Sequence, residues 1–413
     1  MPVIIEHIVS QHAEESAFLW LLRDSAIREP HYDLADLQEL ESRVSAHLDG
    51  LHVAGAEAWP FCEAGLNQAE SGEVFTAAYV ALDQANSEWL EQTLAVVAET
   101  PQTLRGLVSA LGWLPQEKLQ GFVVNWLKSE QPLNRLIGLS ACSIQRVDCG
   151  GYLKQGIEDS DVSVCSRALR NVGEIRRRDL LPQVIEQLNN EDPSCRFWAA
   201  WSATLLGDER GLNTLTDFYS EESDFQSRAL SLGLRMMDKE LAVNWVRDHA
   251  KTEGYERTII EAIATIGDPV SIPWLISMMD KPEYSRLAAE SFAAITGLDL
   301  AYEDMDTDQP AGFESGPTEN PADEEVDLDP DEELVWPDQQ KISDWWSAQQ
   351  SRFSAGGRYL SGAQITRQQC IEVLKKGYQR QRRAAAMELA IFDPQQPLFN
   401  TSATAIRQSQ LLG

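Results

Sequence analysis

The stretch "CRFWAAWSATLLGD" (residues 195–208) decides the fold, because it sets a strong cation beside two tryptophans and a run of small residues. Phe197, Ala200 and Thr204 follow the i, i+3, i+7 spacing of an amphipathic helix. The Gly-Asp pair at the end of the stretch is typical of a helix C-terminus followed by a turn. The stretch therefore predicts a helix that carries Arg196 near its start.

Similar arginine-led segments recur along the chain, which indicates a repeat protein. Successive arginines are 30, 32, 29, 32, 29 and 29 residues apart. Each opens an apolar segment, and a second apolar segment such as "LLPQVIEQL" (180–188) or "SIPWLISMM" (271–279) follows after a turn. The arginines of this repeat are Arg105, Arg135, Arg167, Arg196, Arg228, Arg257 and Arg286.

A helical hairpin of about 30 residues cannot bury both of its apolar faces alone, so neighbouring hairpins must stack around a continuous core. The sequence therefore predicts an all-α fold, an α-solenoid of short helical hairpins. The patterns at 164–188 and 257–279 resemble the short bacterial HEAT repeats, also called bilin-lyase-like repeats. The resemblance implies that the recurrent arginine is a structural ladder residue. Its partner would be an acidic group in a neighbouring turn, such as Glu158, Asp159 or Asp161.

Four segments are predicted along the chain. Residues 1–85 form an N-terminal helical cap, in which "DLADLQELESRVSAHLDG" (33–50) has leucines at helical spacing and Asp33 as the N-cap. Residues 86–302 form the HEAT-like array. Residues 303–335 form an acidic disordered linker, and residues 336–413 form a C-terminal helical unit that continues the array.

The predicted linker follows from composition. Residues 303–338 contain fifteen Asp and Glu, five Pro, and no Lys or Arg. Such a segment buries too little apolar surface to offset the entropy cost of ordering. We therefore expect an acidic disordered insert within the helical array.

The charge of the whole chain limits its partners. The 413 residues carry a formal net charge of -31, which opposes binding to nucleic acid and to anionic membranes, because both require clustered Lys and Arg. No apolar run approaches the roughly 20 residues of a membrane span, and no basic leader precedes an apolar stretch. We expect a protein of the cytoplasm that binds another protein, with a basic protein as the complementary partner.

No residue pattern predicts a catalytic, cofactor-binding or metal site. His7 and His12, like His47 and His52, are five residues apart, so neither pair shares a helix face as i, i+4 zinc ligands do. The six cysteines are scattered without a CxxC pair, which is typical of small buried hydrophobes. No His-Glu dipeptide occurs, although iron-binding HEAT enzymes use such dipeptides. The chain is therefore not expected to be an enzyme.

The tryptophans that follow the acidic segment admit two interpretations. Trp336, Trp345 and Trp346 are too dense for a free linker. They either anchor the chain internally after the insert or form an exposed hot spot for a partner. Both interpretations remain open from the sequence.

Several further motifs resemble a more specific family. They are "AHLDGLHVAG" (46–55), "WPDQQKISDWW" (336–346), "GGRYLSG" (356–362) and "GYQRQRRAAAMELA" (377–390), together with the acidic break. These motifs resemble the HEAT-repeat proteins encoded in some bacterial type VI secretion gene clusters. The resemblance implies a non-enzymatic interaction scaffold that serves as an adaptor or effector-loading factor. The alternatives are an immunity or chaperone protein that sequesters a basic toxin on an acidic concave face and, more remotely, a lyase-like enzyme.

Overall fold

The computed structural model describes residues 5–219, 225–252, 254–316 and 328–413. These residues fall into two compact units. Unit 1 comprises residues 1–28, 32–214 and 393–413, and unit 2 comprises residues 29–31 and 215–392. This division differs from the predicted boundaries at 85, 302 and 335, because the N-terminal helices and the first repeats share one core. Residues 393–413, the last 21 of the sequence, also belong to unit 1.

Unit 1 begins with cap helices and continues with five helical hairpins. The helices are α1 Glu6–Ala26, α2 Leu34–Ala54, α3 Trp59–Leu66, α4 Ser71–Asp83, α5 Ser87–Glu99, α6 Leu104–Trp113, α7 Gln116–Leu127, α8 Pro132–Ile144, α9 Gly151–Ile157, α10 Val162–Ile175, α11 Leu181–Glu186, α12 Pro193–Leu205 and α13 Glu209–Thr216. Short 3-10 turns at Gly55–Ala58, Pro101–Thr103, Arg178–Leu180 and Gln187–Asn189 adjoin these helices.

The hairpins stack through their first helices. Helices α4, α6, α8, α10 and α12 each pack against the next in this series. Among the second helices, α5 packs on α4 of its own hairpin, whereas α7, α9 and α11 pack mainly on the first helix of the next repeat. Small residues permit the close approach, since a Cβ added at Gly106 would lie 2.0 Å from the carbonyl oxygen of Ser71. The stretch at 195–208 behaves as expected, because α12 buries Phe197, Ala200 and Trp201. The predicted all-α helical repeat solenoid is confirmed.

Unit 2 also consists mainly of helices. Its elements are α14 Gln226–Met236, α15 Lys239–His249, α16 Glu256–Ile266, α17 Ile272–Met278, α18 Pro282–Thr296, α19 Gln339–Gln349, β1 Tyr359–Leu360, β2 Ala363–Gln364, α20 Arg367–Lys376 and α21 Gln379–Phe392. The 3-10 turns Pro269–Ser271 and Gln350–Arg352 adjoin α17 and α19. Helices α14, α16 and α18 pack in sequence, as the first helices of unit 1 do.

The "GGRYLSG" motif forms the turn of the small antiparallel β-hairpin, with Ser361 and Gly362 at positive φ. Its amides bind carbonyls at the C-terminal end of α18, since Ser361 N donates to Ala294 O at 2.7 Å and Gly362 N donates to Ile295 O at 3.1 Å. The side chain of Arg358 donates through Nε to Ile266 O, at the end of α16, at 3.1 Å. The motif therefore supplies donors to helix-terminal carbonyls that would otherwise lack partners.

The flanks of the predicted acidic linker are ordered, in contrast to the expectation of disorder over 303–335. Asp331 is 3% exposed and Leu334 is 8% exposed. Met305 O accepts a hydrogen bond from Asp338 N at 2.8 Å, and Thr307 N donates to Trp336 O at 2.9 Å. The composition of the segment alone could not predict this order, because it does not reveal the arginines elsewhere in the chain that pair with its carboxylates. The central part of the prediction, at 317–327, lies outside the described residues.

The C-terminal segment of unit 1 crosses the ends of the first helices and then reaches the cap. Leu398 N donates to Glu174 O in α10 at 2.8 Å, and Asn400 Nδ2 donates to Ile144 O in α8 at 3.3 Å. The last helix, α22 Ala405–Leu412, packs on α2. The segment thereby links the repeats of unit 1 to its N-terminal cap.

A buried ion pair between α1 and α2 binds the main chain of this C-terminal segment. Arg23 Nε donates to Glu41 Oε1 at 2.9 Å, and the two side chains are 4% and 6% exposed. Arg23 Nη2 also donates to Ser402 O at 2.8 Å and Ala403 O at 3.0 Å, while Ala405 N donates to Glu41 Oε2 at 2.6 Å. Each partner thus compensates the other's charge and holds the end of the chain.

Replacing Glu41 by Ala should destabilise unit 1 by about 3–5 kcal/mol, because Arg23 would remain buried without its carboxylate. Urea unfolding followed by far-UV circular dichroism measures the loss. Glu39→Ala removes an exposed carboxylate from the same helix and should change stability by less than about 0.5 kcal/mol. Equal, small effects of the two substitutions would contradict the role assigned to the pair.

Candidate functional site

The repeat arginines share a position in the fold. Each lies within the first two turns of a first helix, from Arg105 in α6 to Arg286 in α18. Arg228, in α14, is the third residue of its helix. The helices that carry these side chains stack against one another within each unit. Their hydrogen-bond partners, however, differ from repeat to repeat.

In unit 1, several of the arginines bind turns. Arg135 forms a two-pronged pair with Asp159, a residue of the turn before α10, at 2.7 and 2.9 Å. This pair lowers the pKa of Asp159 below its ordinary value. Arg196, the arginine of the opening stretch, donates to Asn190 O at 2.7 Å and Glu191 O at 3.3 Å. Its place beside the tryptophans therefore follows from its binding to the backbone of the preceding turn.

Arg105 and Arg167 make other contacts. Arg105 donates to Ser71 Oγ and to Asp24 Oδ2, both at 3.0 Å. Arg167 turns inward along α10, where it donates to Asn171 Oδ1 at 2.8 Å and pairs with the buried Glu174. The arginine therefore recurs at the same helical position, whereas the groups that its guanidinium binds differ from one repeat to the next.

In unit 2, two repeat arginines bind the acidic segment. Arg257 donates through both terminal nitrogens to the Asp331 carboxylate, at 2.7 and 2.8 Å. Arg286 donates to Asp331 O at 2.9 Å and to Asp329 Oδ2 at 2.6 Å, and its guanidinium lies 4.3 Å from the ring centroid of Trp336. The sequence singled out both the arginines and the acidic segment, but not their pairing.

The candidate tryptophans pack within unit 2. Trp336 meets Phe313 edge to face at 5.0 Å between ring centroids. Trp345 and Trp346 contact Phe292 at 5.8 and 6.3 Å. All three tryptophans are half-buried, so each has an internal structural contact and also keeps some accessible surface.

Unit 2 also contains a cavity of about 600 Å³. Leu287, Ala294 and Leu298 contribute apolar lining. At its edge, Arg380 pairs with Glu290 at 2.8 Å. Burial raises the pKa of Glu290 above its ordinary value, although Arg380 opposes this shift. The cavity therefore combines an apolar lining with paired charges.

The histidines and cysteines form no metal centre in the described part of the chain, where no group of three or more His, Cys, Asp or Glu is placed to hold an ion. His12 and His47 nevertheless approach each other across α1 and α2, with their Nδ1 atoms 3.1 Å apart. Burial and the neighbouring His12 lower the pKa of His47. The six cysteines are free, and only Cys149 is not buried. Among the described helices, none is long and apolar enough to cross a membrane.

Comparison with known families agrees with the repeat geometry. Residues 152–235, from α9 to α14, match the sequence model of the family described as HEAT repeats. These residues form HEAT repeats. This match includes Arg167, Arg196 and Arg228, together with the stretch at 195–208. No curated protein matches the chain.

The stacked hairpins leave exposed carboxylates on the second helices. In unit 1 these include Glu88, Glu91 and Glu99 of α5, Glu117 of α7 and Glu186 of α11. We call these five carboxylates the acidic face. The first helices are mostly buried by stacking. Helix α5, which carries three of the five carboxylates and no Lys or Arg, therefore presents most of the negative charge of the acidic face to solvent.

Replacing Asp331 by Ala should destabilise unit 2 by about 1–3 kcal/mol, since it removes the carboxylate that both terminal nitrogens of Arg257 bind in the folded chain. The lower part of that range is expected because Arg257 is 37% exposed and its pair is partly screened by solvent. Differential scanning calorimetry of the full chain measures the shift. Asp308→Ala, an exposed residue of the same segment, is the matched control. Identical melting temperatures for the two variants would show that the acidic flank contributes no stability.

Proposed function

We propose that this HEAT-repeat protein is a non-catalytic interaction scaffold, an adaptor or effector-loading factor of a bacterial type VI secretion system that acts in the cytoplasm. The observation that carries the scaffold role is the stacked array with the acidic face on its second helices. HEAT and related solenoids offer long continuous surfaces to protein partners. The secretion setting is supported by the resemblance of the motifs at 46–55, 336–346, 356–362 and 377–390.

The charge of the surface supports a basic protein as the partner. The chain has a formal net charge of -31, and the five carboxylates of the acidic face are exposed. Such a surface accelerates the encounter with a cationic partner and discriminates against anionic ones. Binding through exposed charges is weakened by salt, because screening acts within about 8 Å at physiological ionic strength.

An immunity or chaperone role is the second candidate, supported by the same charge. In that case the acidic face would cover a basic toxin until its secretion or would neutralise it after entry. The two roles predict different partners but the same binding surface. The gene beside this one separates them, since a toxin gene favours immunity and a spike or adaptor gene favours loading.

The test begins with the basic protein that co-purifies from bacteria expressing the chain with its neighbouring secretion genes. Its affinity for the full chain should fall at least about tenfold between low and high salt. Neutralising Glu88, Glu91 and Glu117 to Gln should weaken binding about fivefold or more at low salt, as measured by surface plasmon resonance, mainly through a slower association rate.

The matched control is the triple variant Glu39→Gln, Asp49→Asn, Glu57→Gln, which removes the same number of exposed charges from the cap. It should change the affinity less than about twofold. A partner bound with the same affinity at every salt concentration would contradict binding through the acidic face. Equal weakening by the two triple variants would assign the effect to net charge instead of to this surface.

A further inference from the structure

Three arginines of unit 1 converge on one carboxylate. Glu174, in α10, is 2% exposed. Its carboxylate pairs with Arg170 at 2.9 Å and with Arg146 at 3.3 Å, and it accepts further hydrogen bonds from Arg167 and Ser143. Two of the guanidiniums come from α10, and the third comes from the turn after α8. We call Glu174 and these three arginines the Glu174 cluster.

The Glu174 cluster carries two more positive charges than negative ones. The pKa of Arg167 is lowered to about 10, mainly by burial; Arg170 and Arg146 act in the same direction, and Glu174 opposes the shift. Burial likewise lowers the pKa of Arg146. Burial raises the pKa of Glu174, but the three guanidiniums outweigh this and hold it well below its ordinary value. The excess of charge is notable because partly buried cations are stabilised by pairing with anions.

Arg170 directs its fork away from Glu174. Its Nε donates to Glu174 Oε1 at 2.9 Å, and its guanidinium lies 4.5 Å from the ring centroid of Trp198. Neither of its terminal nitrogens has a hydrogen-bond acceptor in the parts of the chain that the structure describes. The side chain is 38% exposed. The Nε edge of the Arg170 guanidinium is therefore held by Glu174 and one of its faces by Trp198, whereas the four N–H donors of the terminal nitrogens remain available to a ligand.

The ring below Arg170 is itself held in place. Trp198, from the stretch that decides the fold, meets Phe197 at 4.9 Å and Trp201 at 5.5 Å, both edge to face. Stacking on a fixed indole limits the rotamers of Arg170 and adds a cation–π attraction. The donors of the fork are thereby oriented before a ligand arrives, which reduces the entropy cost of binding.

Other buried clusters in the chain differ from this arrangement. Asp159 occupies the fork of Arg135 with two hydrogen bonds. Glu388 of unit 2 pairs with two arginines, Arg235 and Arg358. The Glu174 cluster has three arginines on one carboxylate and an open fork at its edge.

We propose that Arg170, supported by Trp198 and by the positive charge of Arg146 and Arg167, binds an oxyanion, either a carboxylate or a phosphate. The planar fork accepts two oxygens of such a group side by side, and charge-assisted bonds of this kind are stronger than neutral ones. The bound anion compensates part of the excess charge of the cluster. The residues of this site are not part of the acidic face, so a test of anion binding is independent of the proposed function.

Isothermal titration calorimetry of the full chain in low-salt buffer tests the proposal with two probes, inorganic phosphate and an oligoglutamate peptide. At least one probe should bind saturably to the wild type. Arg170→Gln should weaken that binding at least about fivefold, and Arg170→Lys should weaken it about threefold, because lysine keeps the charge but lacks the fork. Arg210→Gln is the control, since Arg210 is an exposed arginine whose fork is occupied by Asp208.

Arg170→Gln should keep the unfolding midpoint close to that of the wild type, because Glu174 retains Arg146 and Arg167. Tighter binding of oligoglutamate than of phosphate, with mutual competition, identifies a carboxylate of a protein partner as the ligand. Tighter binding of phosphate identifies the free ion. Failure of both probes to bind the wild type, or binding that Arg170→Gln leaves unchanged, would overturn the proposal.

Discussion

The close approach of successive first helices is the constraint on which the structure of each unit depends. A hairpin of about 30 residues has too little core of its own, so its first helix must bury both sides against the neighbouring repeats. Space for this is provided where side chains are small or absent, as at Gly106, and at Gly173, where an added Cβ would lie 2.6 Å from Ser202 Oγ. The second helices, left at the surface, are then free to carry charge.

Arginine serves a second structural purpose in this chain, because it joins segments that are distant in sequence. Arg23 holds the residues before α22, Arg257 and Arg286 hold the acidic flank, and Arg235 joins α14 to α21 through Glu388. A guanidinium suits this purpose because its five donors can bind a carboxylate and main-chain carbonyls at the same time. Removing one partner is costly because the other charge remains buried.

Sequence reasoning predicted what local periodicity determines. The arginine spacing and the apolar pattern gave the repeat, and the stretch at 195–208 forms the helix that its spacing indicates. The pairing of Arg23 with the C-terminal segment joins residues 379 and 380 positions apart, which no local pattern encodes. The order of Asp329 and Asp331 was missed because composition was judged without their cationic partners. For the Glu174 cluster one local signal existed, since Arg167, Arg170 and Glu174 lie on one face of α10 at i, i+3 and i+7.

Hydrogen exchange of backbone amides in the intact chain, followed by mass spectrometry, tests the stacking of first helices most directly. The account predicts the slowest exchange in α6, α8 and α10, each of which packs between two other first helices, and faster exchange in α7, α9 and α11. Equal protection of the two series, or slower exchange in the second helices, would contradict a core built from stacked first helices.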